Sequence, residues 1–302
     1  MIKILDKESA RKIWDNTLLT LGNPNFYQSY NYSEICQGNA NIEYVYSCNE
    51  LGNVHIMGFV KIDEDKVSIP FGPIFSTDCS FSEIMDFIIK IRYKYQKKVN
   101  FCLPEEFVQH EINKYDIEKG WCFVTPLIDT DKSIELIVQH CNENRRRIIR
   151  KVLQNICEDQ IITDSKYAEE FMRLYKRRMD ETNAELDLSL DYLEKILSYD
   201  NTKLTACIKD DNLIAGSITF EFGDTLITRY NCYDSNFSKL SPIARVDYDL
   251  LKYASLNPEI KYYDMSGLAV GDNINNKELN LNRYKLSYRP KKNLTYQWYK
   301  YN

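Results

Sequence analysis

Glycine and proline are scarce in this chain, 10 and 8 of its 302 residues, and histidine occurs only three times. No apolar run reaches the ~18–20 residues that a membrane-spanning helix needs. The opening stretch MIKILDKESARKIW alternates apolar and charged residues, without the uninterrupted core of a signal peptide. A cytoplasmic location is therefore expected, the inner face of the membrane included. None of the nine cysteines is spaced as C-x-x-C, and only His55, His110 and His140 could join them. That spacing predicts reduced thiols and no metal site. His140 and Cys141 are neighbours in a predicted helix, where adjacent side chains point apart, so they do not form a nucleophile pair. Also missing are a phosphate-binding G-x-x-x-x-G-K-[ST] loop, a dinucleotide glycine fingerprint and H-E-x-x-H.

What is present is the composition of a soluble globular protein, with 44% hydrophobic and 27% charged residues. Twenty-three tyrosines require many half-buried rings with bonded or hydrated hydroxyls. The net charge of −5 hides an asymmetry. The segment 145–151, RRRIIRK, has five cations and no anion, and from Lys277 onward seven cations face Glu278 alone. Local basic surfaces on an acidic chain point to a specific anionic ligand more than to indiscriminate nucleic-acid binding.

Periodicity shows one pattern twice. In the first half IEYVYSC, a polar turn and VHIMGFVKI read as a hairpin. VSIPFGPIF follows as a strand, FSEIMDFIIKIRYKYQ as a helix and VNFCLP as a closing strand. In the second half LTACIKDDNLIAGSITFEF is again a hairpin and GDTLITRYNCYD a strand. PIARVDYDLLKYA is a helix opened by proline, and IKYYDMSG closes the unit. Helical material over roughly 132–157 and 166–199 opens the second unit. The order implies an internal duplication. It predicts an α/β (α+β) fold of two tandem domains, 1–130 with the C-terminal strand 291–302, and 131–290. The strand 294–301 is expected to cross back onto the first-half sheet. Hairpin, strand, helix and strand is the core order of a GNAT acyltransferase, with mixed sheets flanked by helices.

Specific strings carry a resemblance. PNFYQSYNYSEI (24–35), SIPFGPIF (68–75), NRRRIIRKVLQ (144–154), TRYNCYDSNFSKLSPIARVDYDLLKYA, YYDMSGL (262–268) and NRYKLSYRP (282–290) occur in the order of similar elements in the Fem family of peptidoglycan aminoacyltransferases and the broader GNAT-like acyltransferases related to them. The resemblance spans residues 24 to about 290. It implies transfer of an aminoacyl or acyl group onto an amine of a cell-envelope precursor, peptidoglycan or surface glycan. The implied donor is aminoacyl-tRNA or acyl-CoA, no cofactor is held tightly, and the partner is an anionic nucleotide- or lipid-linked precursor. A CoA-dependent N-acyltransferase of a nucleotide-linked amino sugar or small amine is the alternative. A catalytically silent binding member of the family is a third possibility. Segment 132–165 is too short for the helical arm that some members carry.

Amide formation from an ester or thioester needs a neutral amine, fixed geometry and stabilisation of the tetrahedral oxyanion. One lost oxyanion donor typically costs ~2.7–4 kcal/mol. The resemblance places Lys285 in that electrophilic role; otherwise it is a solvated cation of the basic tail. Tyr230, on the strand expected to face the cleft, is a candidate donor or proton relay. Asp264, at the closing strand's end, is a candidate acceptor of the amine's proton, or simply a turn cap. Arg147 and Arg150 on the basic helix, with Arg178 before MDET, are candidate phosphate ligands, although most charges of 145–151 are expected to face solvent. Two departures concern the first half. A family lysine would fall near Cys36 or Gln37, and Phe71 stands where arginine is usual, which puts a UDP-linked acceptor in doubt. SKLSPIAR, where a CoA-binding loop would precede the helix at Pro242, has no glycine, so close approach of phosphate to backbone is harder there.

Overall fold

The computed structural model describes residues 2–22, 24–36, 40–105, 114–271 and 274–302; Gln37 and His110 lie outside the described residues. The chain forms two compact units, Met1–Val124 with Leu294–Asn302, and Thr125–Asn293.

The first unit begins with β1 (Lys3–Leu5), α1 (Lys7–Leu19) and α2 (Tyr30–Cys36). Then come β2 (Asn41–Cys48), β3 (Val54–Ile62), β4 (Lys66–Ser68), β5 (Ile74–Phe75), α3 (Phe81–Tyr95) and β6 (Lys98–Pro104). β2, β3 and β4 pair antiparallel in turn, and β4 pairs parallel with β6 across the α3 crossover. The local chemistry of α3 explains its ends. The Ser80 hydroxyl accepts the Glu83 N–H while the Glu83 carboxylate accepts the Ser80 N–H, and Gln96 stops the helix in the left-handed region. Ile84, Phe87, Ile88 and Ile91, spaced three and four apart, are the face it buries against Val45, Val60 and Phe101.

β7 (Ile117–Asp129) leads into the second unit. There follow α4 (Ile134–His140), α5 (Glu143–Asn155), β8 (Ile161–Thr163), α6 (Ala168–Thr182) and α7 (Leu190–Leu197). β9 (Thr202–Lys209), β10 (Asn212–Phe222), β11 (Thr225–Tyr233), α8 (Pro242–Leu256), β12 (Tyr262–Asp264) and α9 (Asn276–Leu286) complete it. β9, β10 and β11 pair antiparallel in turn, and β11 pairs parallel with β12 across the α8 crossover. This is the connectivity of β2, β3, β4, α3 and β6, so the duplication predicted from the sequence is present in the topology.

Helices cover both faces of the second sheet. Successive strand residues point to opposite sides. Ala215 of β10 packs with Val246 and Leu250 of α8, whereas Gly216 lies under Phe171 of α6. A Cβ at Gly216 would come within 2.8 Å of that ring, so this position needs glycine for close approach. The last strand, β13 (Lys292–Tyr301), pairs antiparallel with β6 in the first unit, Tyr296 opposite Pro104 through Tyr301 opposite Val99.

Candidate active site in the second unit

β12 and β11 lie side by side and parallel, with Asp264 opposite Ile227. Just past Asp264 the chain turns at Ser266, whose φ of 64° is left-handed. Asp264 Oδ1 holds that turn by accepting the Ser266 N–H at 2.7 Å, and it also accepts the Thr125 hydroxyl. The Ser266 hydroxyl donates to the Thr228 carbonyl of β11. These bonds fix the carbonyls of Ser266 and Gly267, to which Lys285 Nζ donates at 3.1 and 2.6 Å. Two of the three donors of an ammonium are thus engaged. Lys285 sits on α9, which starts at a capping box between Asn275 and Glu278, and is only 8% exposed. Burial pulls its pKa down to about 8, against the opposing fields of Asp264 and Asp247. Burial likewise pushes the Asp264 carboxyl up, while Thr125, the Ser266 N–H and the charge of Lys285 pull it back.

A second buried network braces α9. Asp247 of α8 accepts the hydroxyls of Tyr263 at 3.1 Å, Tyr288 at 3.4 Å and Tyr284. Tyr263 in turn accepts from the Thr228 hydroxyl at 2.7 Å. The rings of Tyr284 and Tyr288 flank the Arg145 guanidinium at 4.0 and 4.6 Å, and Arg145 Nε donates to Ser287 Oγ at 2.8 Å. Arg145 is 3% exposed, which corrects its reading as part of a solvated cationic face. A guanidinium sandwiched between aromatic rings near a buried carboxylate is compensated where a bare charge would not be. The sequence carried one overlooked signal of this. Asp247 shares the inward stripe of α8 with Leu250, Leu251 and Ala254, and a carboxylate there must have buried partners.

Tyr230 is placed elsewhere. β11 carries a bulge, with Ile218 opposite Tyr230 but Thr219 opposite Thr228, so Arg229 is an extra residue. The bulge breaks the alternation. Thr228 reaches Tyr263 on the α8 side, while Tyr230 packs edge-on against Tyr175 of α6 at 5.9 Å. Lys285 and Asp264 are brought together at the end of β12, where Lys285 holds the carbonyls just past Asp264, whereas the Tyr230 ring is packed on Tyr175.

Residues 140–286 match the model of an acetyltransferase (GNAT) domain. The second unit is GNAT-like. No curated protein matches the chain in sequence. Among solved structures, FemX is similar with a TM-score of 0.77 at 10% identity, covering 98% of this chain and 96% of that one. The C-terminal domain of a putative lysylphosphatidylglycerol synthetase from Agrobacterium fabrum is similar with a TM-score of 0.64 at 11% identity, covering 97% and 92%. A tandem GNAT protein from the clavulanic acid biosynthesis pathway has a TM-score of 0.53 at 10% identity, covering 99% and 97%. At such identities the likeness is one of fold: the chain has a GNAT-like architecture shared with Fem-type and tandem GNAT proteins.

In the GNAT-like unit the helix after the third strand of the core is α8. The residue just before it, Ser241, adopts φ 54°, ψ 48°, a conformation that favours glycine. A serine thus takes, at this helix start, a backbone conformation usually left to glycine. α5 packs beside this region, and Lys151 Nζ reaches the Lys239 carbonyl at 3.0 Å. Arg147 and Arg150 are exposed on α5, Arg147 bonding Asn144 at 3.1 Å. Arg178 instead stacks on Tyr233 at 4.6 Å and pairs with Glu181 at 3.1 Å.

In the first unit Phe71, at φ 50°, stacks on Tyr27 at 4.2 Å. It also meets Phe123, Tyr296 and Trp298 edge-on at 5.0, 5.9 and 5.5 Å. An aromatic nest occupies the place where the family resemblance leads one to expect an arginine.

Proposed function

We propose that this chain is an amide-forming acyltransferase of Fem type, transferring an aminoacyl or acyl group onto an amine of a cell-envelope precursor. The observation that carries the proposal is the Lys285 ammonium, buried within the GNAT-like unit and held on two backbone carbonyls beside Asp264. With a pKa of about 8 it is mainly charged near neutral pH, as stabilisation of a tetrahedral oxyanion requires. Lys285 is the proposed electrophilic group. Asp264 is better suited to positioning than to taking the amine's proton. It is buried, it holds the Ser266 turn, and its charge helps keep Lys285 protonated. Tyr230 has no part in this network.

For the donor, the exposed Arg147 and Arg150 near the opening of α8 offer bidentate partners for phosphate, which both aminoacyl-tRNA and acyl-CoA carry. The left-handed backbone of Ser241 just before the N-terminus of α8 favours acyl-CoA as the second reading. The nest around Phe71 argues against a charged nucleotide in that part of the first unit, and so favours a lipid-linked or small amine acceptor. The resemblance to FemX and to the domain of a lysylphosphatidylglycerol synthetase supports an envelope substrate. The test is turnover: purified protein is supplied with isotopically labelled acyl-CoAs or aminoacyl-tRNAs and a panel of amine acceptors. A labelled amide product identified by mass spectrometry supports the proposal, and the active donor decides between the two readings. Binding of donor and acceptor without any turnover would identify a silent binding protein.

A further inference from the structure

We propose that the first unit carries a transition-metal site of the zinc class, built from His55, Cys79 and Glu83. The residues are 24 and 4 positions apart, a spacing that matches no zinc motif, and the fold brings them together. His55 comes from β3, Cys79 from the turn between β5 and α3, and Glu83 from the first turn of α3. One ligand atom from each lies within 4.8 Å of the others. Tetrahedral zinc bonds of ~2.0–2.3 Å separate ligand atoms by roughly 3.3–3.8 Å, so small side-chain rotations would close the site.

The surroundings point to a cation. Ser76 Oγ lies 2.6 Å from His55 Nδ1, and its hydroxyl donates a hydrogen bond to Asp78. With its own hydrogen directed at Asp78, Ser76 Oγ accepts from His55 Nδ1–H. The imidazole is then the tautomer whose Nε2 carries the lone pair, and histidines that bind metals are commonly oriented in this way. Nε2 faces Glu83 Oε1 at 3.4 Å. Two acceptors oppose each other, an arrangement that a cation between them resolves. The other oxygen of Glu83 is tied to the Ser80 N–H at 2.8 Å and the Ser80 hydroxyl at 2.6 Å, which aims Oε1 inward. His55 and Cys79 are buried, whereas His55 and Glu83 also line a cavity of about 140 Å³ that provides an entry path and room for a water as fourth ligand. Binding would exchange one proton: the Cys79 S–H bond breaks, the S–metal bond forms, and the proton leaves to solvent.

The test uses the full chain, stripped by chelator and titrated with Co²⁺ as a spectroscopic probe. One equivalent should give thiolate-to-cobalt charge-transfer absorption with the intense visible bands of a tetrahedral centre, displaced by Zn²⁺. Cys79→Ser, nearly isosteric, should abolish the charge-transfer band, and Cys102→Ser should retain it. Glu83→Gln keeps the helix cap and should weaken binding at least ~10-fold, as loss of a metal ligand does. It keeps the proposal testable should Cys79→Ser fail to fold. The absence of saturable uptake, or uptake unchanged in Cys79→Ser and Glu83→Gln, would overturn the proposal. The His55–Glu83 contact would then be an imidazolium–carboxylate pair.

Discussion

Replacing Lys285 by methionine keeps the apolar stem and removes a buried charge, and the consequence for stability depends on pH in a calculable way. In the unfolded chain the ammonium titrates near 10.5, and in the folded protein near 8. A lysine whose folded pKa is the lower one costs stability wherever the unfolded chain holds its proton more tightly. That cost is complete below pH 8, fades between pH 8 and 10.5, and is gone above. At 1.36 kcal/mol per pH unit it amounts to about 3 kcal/mol at pH 7 and roughly 1.5 kcal/mol at pH 9.5. The absolute difference between variant and wild type also contains the bonds lost to the Ser266 and Gly267 carbonyls, so the change with pH is the cleaner quantity. Urea unfolding of both proteins, followed by circular dichroism at about pH 7 and about pH 9.5, should show wild type gaining roughly 2 kcal/mol relative to Lys285→Met. Thiols and tyrosines titrate alike in both proteins and cancel. A pH-independent difference would mean that Lys285 is not a buried cation in the folded protein.

Three further outcomes follow from the packing. Asp247→Ala removes the acceptor of three tyrosine hydroxyls and leaves Arg145 without its buried carboxylate; denaturant unfolding should show a loss of about 3–5 kcal/mol, with Asp247→Asn losing less. Gly216→Ala drives a methyl group against Phe171 and should cost about 1–3 kcal/mol by the same measurement. Ser241→Gly relieves a left-handed backbone at the start of α8 and should raise stability by roughly 0.5–1 kcal/mol, read as a higher melting temperature.

The repeated order of hairpin, strand, helix and strand was legible because it rests on side-chain period and turn residues, which local sequence controls. The inward face of α3, with Ile84, Phe87, Ile88 and Ile91, is one such case. Lys285 entered through family resemblance and Asp264 through its place at the end of the closing strand, and nothing in their spacing shows that α9 returns to the end of β12. The direction of Tyr230 was not legible, because a single inserted residue in β11 changes which side chains share a face, and periodicity assumes an unbroken strand. Arg145 looked solvent-facing because a run of arginines masks the one that turns inward. Its burial depends on Tyr284, Tyr288 and Asp247, more than a hundred residues away. Ser241 shows the converse: the residue type is unusual for a left-handed helix start, yet the surrounding fold imposes that conformation.

The role of Lys285 in transfer is tested most directly by the steady-state rate of Lys285→Met with whichever donor and acceptor support turnover, compared with wild type at saturating substrate. Loss of one oxyanion donor predicts a kcat lower by roughly 10²–10³ with KM little changed. An unchanged kcat would contradict the account. A defect confined to KM would make Lys285 an anchor for substrate and leave the oxyanion to another group.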